Sequence, residues 1–347
     1  MKITTLGIDL AKNVFQVHGV DERGKAVARK QLRRAQVLPF FANLPPALIG
    51  MEACASAHYW ARKLAALGHT VKLMAPQYVR PYVKTNKSDA ADAEGICEAV
   101  GRPNMVFVPV KTAAQQAVLA LHRARQGLVK ARTAQANQLR GLLGEFGVIV
   151  PQGLSALGTR VPEILEDGEN ELPGSLRLLL ARLHQHLQHL DAEVGVLEDE
   201  IKRWHREDEA SRRVAAIPGI GVLGASALVA SVGAASTFGN ARQLAASLGV
   251  VPRQHSTGGR AKLLGISKRG DCYLRTLLVH GARSVLQQAV RHPERADPWL
   301  RQLLARRPVN VAVVALANKN ARIAWALLAH GRSYERDYRS QCVKLAA

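Results

Sequence analysis

In the first hundred residues, short apolar runs alternate with polar breaks. Residues 3–9 form a short apolar run and residues 14–20 alternate apolar with polar positions, so each predicts a strand. Asp21, Glu22, Arg23 and Gly24 make a hairpin turn into a third strand over residues 25–32. A helix over residues 35–44 follows, stopped by Pro45 and Pro46. Residues 47–52 then read as a buried strand, 57–67 as a helix closed by Gly68, and 70–74 as another strand. Three antiparallel strands followed by alternating helices and strands predict an α/β domain over residues 1–110.

From residue 112 the spacing turns helical. Residues 112–146 are rich in Ala, Leu, Gln and Arg, with Arg123, Arg125, Lys130, Arg132 and Arg140 along them. Residues 147–173 are broken by prolines and glycines and predict a loop-rich connection. Beyond them Leu176, Leu180, Leu183, Leu187, Leu190, Val194, Leu197, Ile201 and Trp204 recur alternately four and three apart. A repeat of about 3.5 residues held for about four heptads predicts a coiled-coil seam. Its partner is either the 112–146 helix folded back or the same helix of another subunit. His184, His186 and His189 fall off the seam and read as solvated surface.

A third region opens near Ser211. Ile217, Pro218, Gly219, Ile220 and Gly221 precede an alanine-rich helix that ends at Val232. This is the form of a helix-hairpin-helix. Gly219 and Gly221 allow a tight turn whose free backbone N–H groups, with the next helix N-terminus, hold a phosphate. The chain thus divides into an α/β domain (1–110), a helical and coiled-coil linker (111–210), a mainly helical domain (211–331) and a basic tail (332–347).

Charge narrows the partner. Lys and Arg number 48 against 27 Asp and Glu in 347 residues, a net +21. Nucleic acid is the usual partner for such an excess, because each phosphate contact releases condensed counterions. No window offers the roughly 18 consecutive apolar residues of a membrane span, and the first residues meet Asp9 before any signal-type apolar run. The expectation is a soluble, cytoplasmic protein with no membrane partner. Cys54, Cys97, Cys272 and Cys342 lie far apart with no C-x-x-C pair, which argues for reduced structural cysteines rather than disulfides or a thiolate zinc site.

Two groups of residues can carry chemistry. Asp9 ends the first strand and Glu52 the fourth, so neighbouring strands would bring both carboxylates out at one end of the sheet. Ser88 is a good N-cap, and Asp89 and Asp92 lie three apart on the first turn of the helix it starts. Four acids converging in a basic protein call for cations. Mg²⁺, one ion or two, supplies them and takes substrate phosphate oxygens as further ligands. The second group lies between Arg253 and Arg283. Arg253, Arg260, Lys262, Lys268, Arg269, Arg275 and Arg283 face only Asp271 as an anion, with Gly258, Gly259, Gly265 and Gly270 interspersed. A glycine-rich cationic segment lets backbone approach phosphate closely. Ser256 sits inside it, next to Thr257 and not far from Ser267.

Gly7-Ile8-Asp9, Gly50-Met51-Glu52 and the run from Lys87 through Ser88 and Asp89 to Asp92 resemble the DEDD site of a RuvC-like domain. Such a ribonuclease-H-like domain is found in the insertion-sequence one-ten family of transposases. Ile217 to Gly221, Leu248 to Gly259 and Gly265 to Gly270, followed by Leu274 and Arg275, resemble that family's second block, closest to its eleven-eleven-like subgroup. The resemblance implies a bacterial DNA transposase or recombinase with Asp9, Glu52, Asp89 and Asp92 as Mg²⁺ ligands. It implies Ser256 as the nucleophile that forms a phosphoserine link to DNA. It further implies a structured non-coding bridge RNA that pairs with donor and target DNA. The heptad seam makes a homo-oligomer, dimer or tetramer, the expected working form. The nucleic-acid contacts would fall on Gly219, Gly221, Arg253, Arg260, Lys262, Lys268, Arg269 and Arg275. A hydrolytic nuclease of the junction-resolving type, using the same acids and an activated water, is the alternative.

Overall fold

The computed structural model describes residues 2–84 and 88–336, so Lys87, Cys342 and most of the expected basic tail lie outside the described residues. It forms two compact units, Met1–Gln116 with Ser231–Gly239, and Ala117–Ala230 with Asn240–Ala347.

The first unit is built on a six-stranded sheet. Strands β1 (Thr5–Leu10), β2 (Val14–Val20) and β3 (Ala26–Arg33) form an antiparallel meander. Its turn is the expected one: the Asp21 carboxylate accepts from the backbone N–H of Arg23 and Lys25, and Gly24 takes φ +76°. Helix α1 (Val37–Ala42), strand β4 (Leu48–Glu52), helix α2 (Ala57–Ala66) and strand β5 (Thr70–Met74) follow, close to the expected bounds. Helices α3 (Pro76–Val79) and α4 (Asp89–Val100) and strand β6 (Phe107–Val108) complete it. The strand order is β3-β2-β1-β4-β5-β6, with β4 parallel to β1 and β5, and β6 antiparallel.

Strand alternation separates the two faces of this sheet. Leu6, Ile8, Phe15, Val17, Ile49 and Met51 point to one face and join Phe41, Trp60 and Leu64 in a core under α1 and α2. The other face carries Gly7 and Gly50, paired in register. Here α4 lies so close that a Cβ on Gly7 would come within 2.2 Å of the Ala93 carbonyl oxygen. A Cβ on Gly50 would meet Val100 at 2.7 Å. Two bare backbones are therefore the seat of this helix.

The second unit holds most of helix α5 (Ala113–Gly144), then α6 (Leu154–Glu166), α7 (Gly174–Glu207), α8 (Glu209–Ala215), α9 (Val222–Val232) and α10 (Ala241–Ser247). Strands β7 (Pro252–Thr257) and β8 (Arg260–Ile266) come next, and helices α11 (Cys272–Arg291), α12 (Pro298–Arg306) and α13 (Val309–His330) close it. The 147–173 stretch is not a loop-rich connection. Leu157, Val161 and Ile164 of α6 bury against Leu139, Leu143, Leu180 and Leu187, and Pro162 is accommodated inside the helix.

Helices α5 and α7 run antiparallel within this chain. Arg125 pairs with Glu198 at 2.6 Å, Arg132 with Asp191, and His186 meets Gln135 at 2.9 Å. Leu180, Leu187, Leu190, Val194 and Ile201 of the heptad pattern are buried. His184 is buried too, against the expectation of a solvated face. Its position lies one residue beyond Leu183, where the apolar stripe is wider than a strict seam.

Helix α13 is long and apolar enough to cross a membrane by length and composition. It nevertheless carries Lys319 and Arg322, packs against α10, α11 and α12, and donates from buried Asn320 to the Pro218 carbonyl at 2.8 Å. It is the core helix of the second unit.

Candidate active site

The sheet positions two of the four acids directly. Because β1 and β4 are parallel with Ile8 beside Met51, the next rung sets Asp9 beside Glu52. Each lies two residues past a helix-seat glycine, so both carboxylates emerge on the α4 face at the strand ends. The chain folds back at once after Glu52, whose carbonyl accepts from the Cys54 N–H at 2.9 Å. Burial pushes the Cys54 thiol up from its ordinary value, and the negative charges of Glu52 and then Asp9 push it further. Gln16 stands across from Asp9 on β2 and His18 across from Gly7. Burial lowers the His18 pKa, against the opposing charge of Glu94 on α4.

The other two acids stand on the first turn of α4. Ser88 caps it as expected, its Oγ accepting from the Ala91 N–H at 3.3 Å. Asp89 is exposed and Asp92 half-buried, and both complement the positive end of the helix dipole. All four acids thus belong to the α4 face of one sheet. Among the described residues, however, no three His, Cys, Asp or Glu side chains are gathered as they would be around a fully protein-caged ion. Mg²⁺ does not require such a cage, since one or two carboxylates plus substrate phosphates satisfy it. The Asp9–Glu52 pair fits that donor set.

The cationic segment is a β-hairpin rather than a loop. Gly258 and Gly259 take φ +56° and +76°, as a two-residue hairpin turn of this kind requires. Thr257 then pairs with Arg260, Ser256 with Ala261, His255 with Lys262 and Gln254 with Leu263. Every residue of β7 and all but the last of β8 are exposed. Ser256 Oγ accepts from the Gln254 side-chain amide at 2.7 Å, a partner that the sequence did not single out.

Ser267 and the cations after it are held differently. The Ser267 N–H donates to the Val251 carbonyl at 2.8 Å and the Lys268 N–H to that of Gly249 at 3.1 Å. A Cβ on Gly270 would come within 1.8 Å of the Ser247 carbonyl oxygen, so this segment clamps the hairpin base. Arg275 donates to the carbonyls of Leu248 and Arg269 at 3.3 and 3.2 Å, which gives it a bracing role. Asp271 caps α11 by accepting from the Tyr273 and Leu274 N–H groups. Gly219, at φ +89°, packs against Gly281 of α11, whereas Gly221 has open space beside it. Arg253, Arg260, Lys262, Lys268 and Arg269 are exposed.

The second unit also holds a buried polar network that sequence pattern gave no means of finding. His122 of α5 is 1% exposed; its Nδ1 meets the Tyr273 hydroxyl and its Nε2 the Ser226 hydroxyl, each at 3.0 Å. Burial, assisted by the neighbouring Arg125 charge, lowers the His122 pKa to about 4.

An acidic pair at adjacent strand ends beneath an acid-bearing helix, in a strongly cationic chain, defines a protein built to process nucleic acid with divalent cations. Comparison with known families makes this specific. A DEDD-type transposase model of the IS110 group matches residues 6–147, and the model described as "Transposase IS116/IS110/IS902 family" matches residues 211–300. A probable family 20 transposase of Pseudomonas aeruginosa is 54% identical over 335 residues, covering 96% of this chain and 99% of the relative. The transposase for insertion sequence element IS1328 of Yersinia enterocolitica is 45% identical, with 96% and 99% covered. That for IS1111A of Coxiella burnetii is 44% identical, with 96% and 91% covered, which fits the eleven-eleven-like subgroup. The chain belongs to the IS110/IS116/IS902 family of insertion-sequence transposases.

Proposed function

We propose that this transposase is a Mg²⁺-dependent recombinase that cuts and rejoins DNA through a phosphoserine intermediate at Ser256. The observation that carries the metal half is the parallel pairing of β1 and β4 up to Ile8 and Met51, the residues just before Asp9 and Glu52, whose charges both act on Cys54. Asp9 and Glu52, with Asp89 and Asp92 from α4, would hold the ion, which supplies charge neutralisation at a phosphodiester. Ser256 is favoured over Ser267 because its hydroxyl stands on an exposed strand, whereas Ser267 is built into the hairpin base.

In the reaction, Ser256 Oγ bonds to phosphorus while the bond from phosphorus to one strand's oxygen breaks. That strand leaves as a hydroxyl, which takes up the proton that the serine loses. Attack by another strand's hydroxyl on the phosphoserine then restores Ser256 and joins DNA. The covalent link conserves phosphodiester energy, so no external energy source is needed.

The wider reading assigns metal chemistry to residues 1–110, a coiled-coil linker to 111–210 and the serine to 211–331, followed by the basic tail 332–347. The α5–α7 pair supports the coiled coil, and α8, the Gly219–Gly221 turn and α9 support a helix-hairpin-helix. Gly221, Arg253, Arg260, Lys262, Lys268 and Arg269 contact nucleic acid, while Gly219 and Arg275 hold the backbone that presents them. A bridge RNA directs the choice of DNA, the working form is a dimer or tetramer, and the protein acts in the bacterial cytoplasm.

The test is transposition in cells from the whole native element, flanks included. Asp9→Asn, Glu52→Gln and Ser256→Ala should each reduce joined product at least about a hundredfold at equal protein level, as loss of a reacting group does. Normal joining by Ser256→Ala would overturn the phosphoserine step. Cleavage that persists in that variant yet needs Asp9 would instead favour the hydrolytic nuclease.

A further inference from the structure

Strand alternation splits the hairpin into two chemically different faces. His255 and Thr257 of β7 share one face with their cross-strand partners Lys262 and Arg260, and alternation along β7 puts Arg253, at the register irregularity between Pro252 and Gln254, on the same side. Gln254 and Ser256 share the other with Ala261 and Leu263. The 2.7 Å Gln254–Ser256 hydrogen bond fixes that assignment, since only side chains on the same face of a strand can meet at a spacing of two. The first face is cationic. The second has no charged residue and carries Leu263, which is 65% exposed.

A hairpin exposed along nearly its whole length has no core of its own, and an isolated hairpin is at best marginally stable in water. A two-stranded ribbon also has the dimensions to enter the groove of a nucleic-acid duplex. Charge complementarity selects which face meets the phosphates.

We propose that the β7–β8 hairpin divides its work by face: Arg253, His255, Arg260 and Lys262 grip a duplex, while Gln254 on the opposite face positions and polarises Ser256. This inference rests on Ser256 being the nucleophile. Donation by the Gln254 amide occupies one lone pair of Oγ, leaves another free for attack, and stabilises the oxygen as its proton departs. Gln254 touches only the serine and is a positioning residue. The three cations on the far face hold DNA without neutralising charge at the reacting phosphate.

The experiment pairs two readouts on the full-length protein. Salt-dependent binding is measured with a labelled 30-base-pair duplex, and covalent protein–DNA adduct is measured in cells carrying the native element. Gln254→Ala should bind the duplex as the parent does yet form adduct about tenfold more slowly, the factor that one hydrogen bond commands. Arg260→Ala/Lys262→Ala should flatten the slope of log affinity against log salt by about 2, at about 0.9 per phosphate contact. Raising the protein level should recover part of the adduct lost in that double variant and none of that lost in Gln254→Ala.

Loss of both binding and adduct in Gln254→Ala would reduce the residue to a structural role and overturn the proposal. So would parent-like adduct in Gln254→Ala, or a double variant that binds normally but fails in chemistry. Ser256→Ala is the control for the underlying reading. Adduct that survives in it means the nucleophile lies elsewhere, whereas its loss alongside an unaffected Gln254→Ala defeats the division of faces alone.

Discussion

Gly7 shows how one missing side chain sets the candidate site. Its backbone lies against Ala93 and Cys97, and a methyl group there has no space that side-chain rotation could open, because the nearest atoms are helix backbone. Gly7→Ala should therefore lift α4 from the sheet and cost about 1–3 kcal/mol, measured by chemical denaturation. It should also lower activity far more than stability, since α4 carries Asp89 and Asp92. A variant as stable and active as the parent would contradict the close seat.

His122 supplies a second prediction at this scale. Its pKa of about 4 in the folded protein lies below the ordinary value of 6.5, so the unfolded chain binds the proton more readily. Its contribution is complete above about pH 6.5 and is lost as the pH falls toward 4, amounting to about 3 kcal/mol. Burial lowers the His184 and His205 pKa values as well, and these act in the same direction. Denaturation midpoints taken from pH 7 to pH 4.5 should fall, and His122→Gln should flatten part of that slope.

At the scale of elements, the α5–α7 pair depends on a buried apolar stripe more than on its surface ion pairs. Leu187→Ala should cost about 2–5 kcal/mol, as removing a buried leucine generally does. Asp191→Asn, which breaks the Arg132–Asp191 pair at its exposed partner, should cost less than about 1 kcal/mol. Comparing the two variants by thermal melting checks the ranking.

The stripe was legible because leucines at heptad spacing announce a helix face. Strands β1 to β5 were legible for the same reason, with clear alternation and turn residues between them. The hairpin was not, because Arg253, Gln254, His255, Ser256 and Thr257 are all polar and give periodicity nothing to register. Only Gly258-Gly259 signalled it. Helix α6 escaped because Pro162 and the flanking glycines outweighed the helical spacing of Leu154, Leu157, Val161 and Ile164. Asp9 and Glu52 were readable at strand ends. Gln254 gained meaning only once alternation placed it beside Ser256, and His122 once folding brought Tyr273 of α11 and Ser226 of α9 to its ring.

At the scale of the whole molecule, family membership and charge agree: a transposase must hold DNA, and a net +21 gives it the means. If about five residues of the 253–283 segment contact phosphates, log affinity for duplex DNA should fall with log salt at a slope of roughly −4 to −5. A slope near zero would remove the segment from the nucleic-acid interface.

The phosphoserine step is the central claim, and a covalent bond is directly observable. The decisive measurement is to express the protein from its whole native element, denature it under conditions that strip all non-covalent DNA, and sequence what remains attached. The account predicts element-end DNA bound to the parent protein and absent from Ser256→Ala. DNA breaks that still require Asp9, with no attached DNA in the parent, would contradict it.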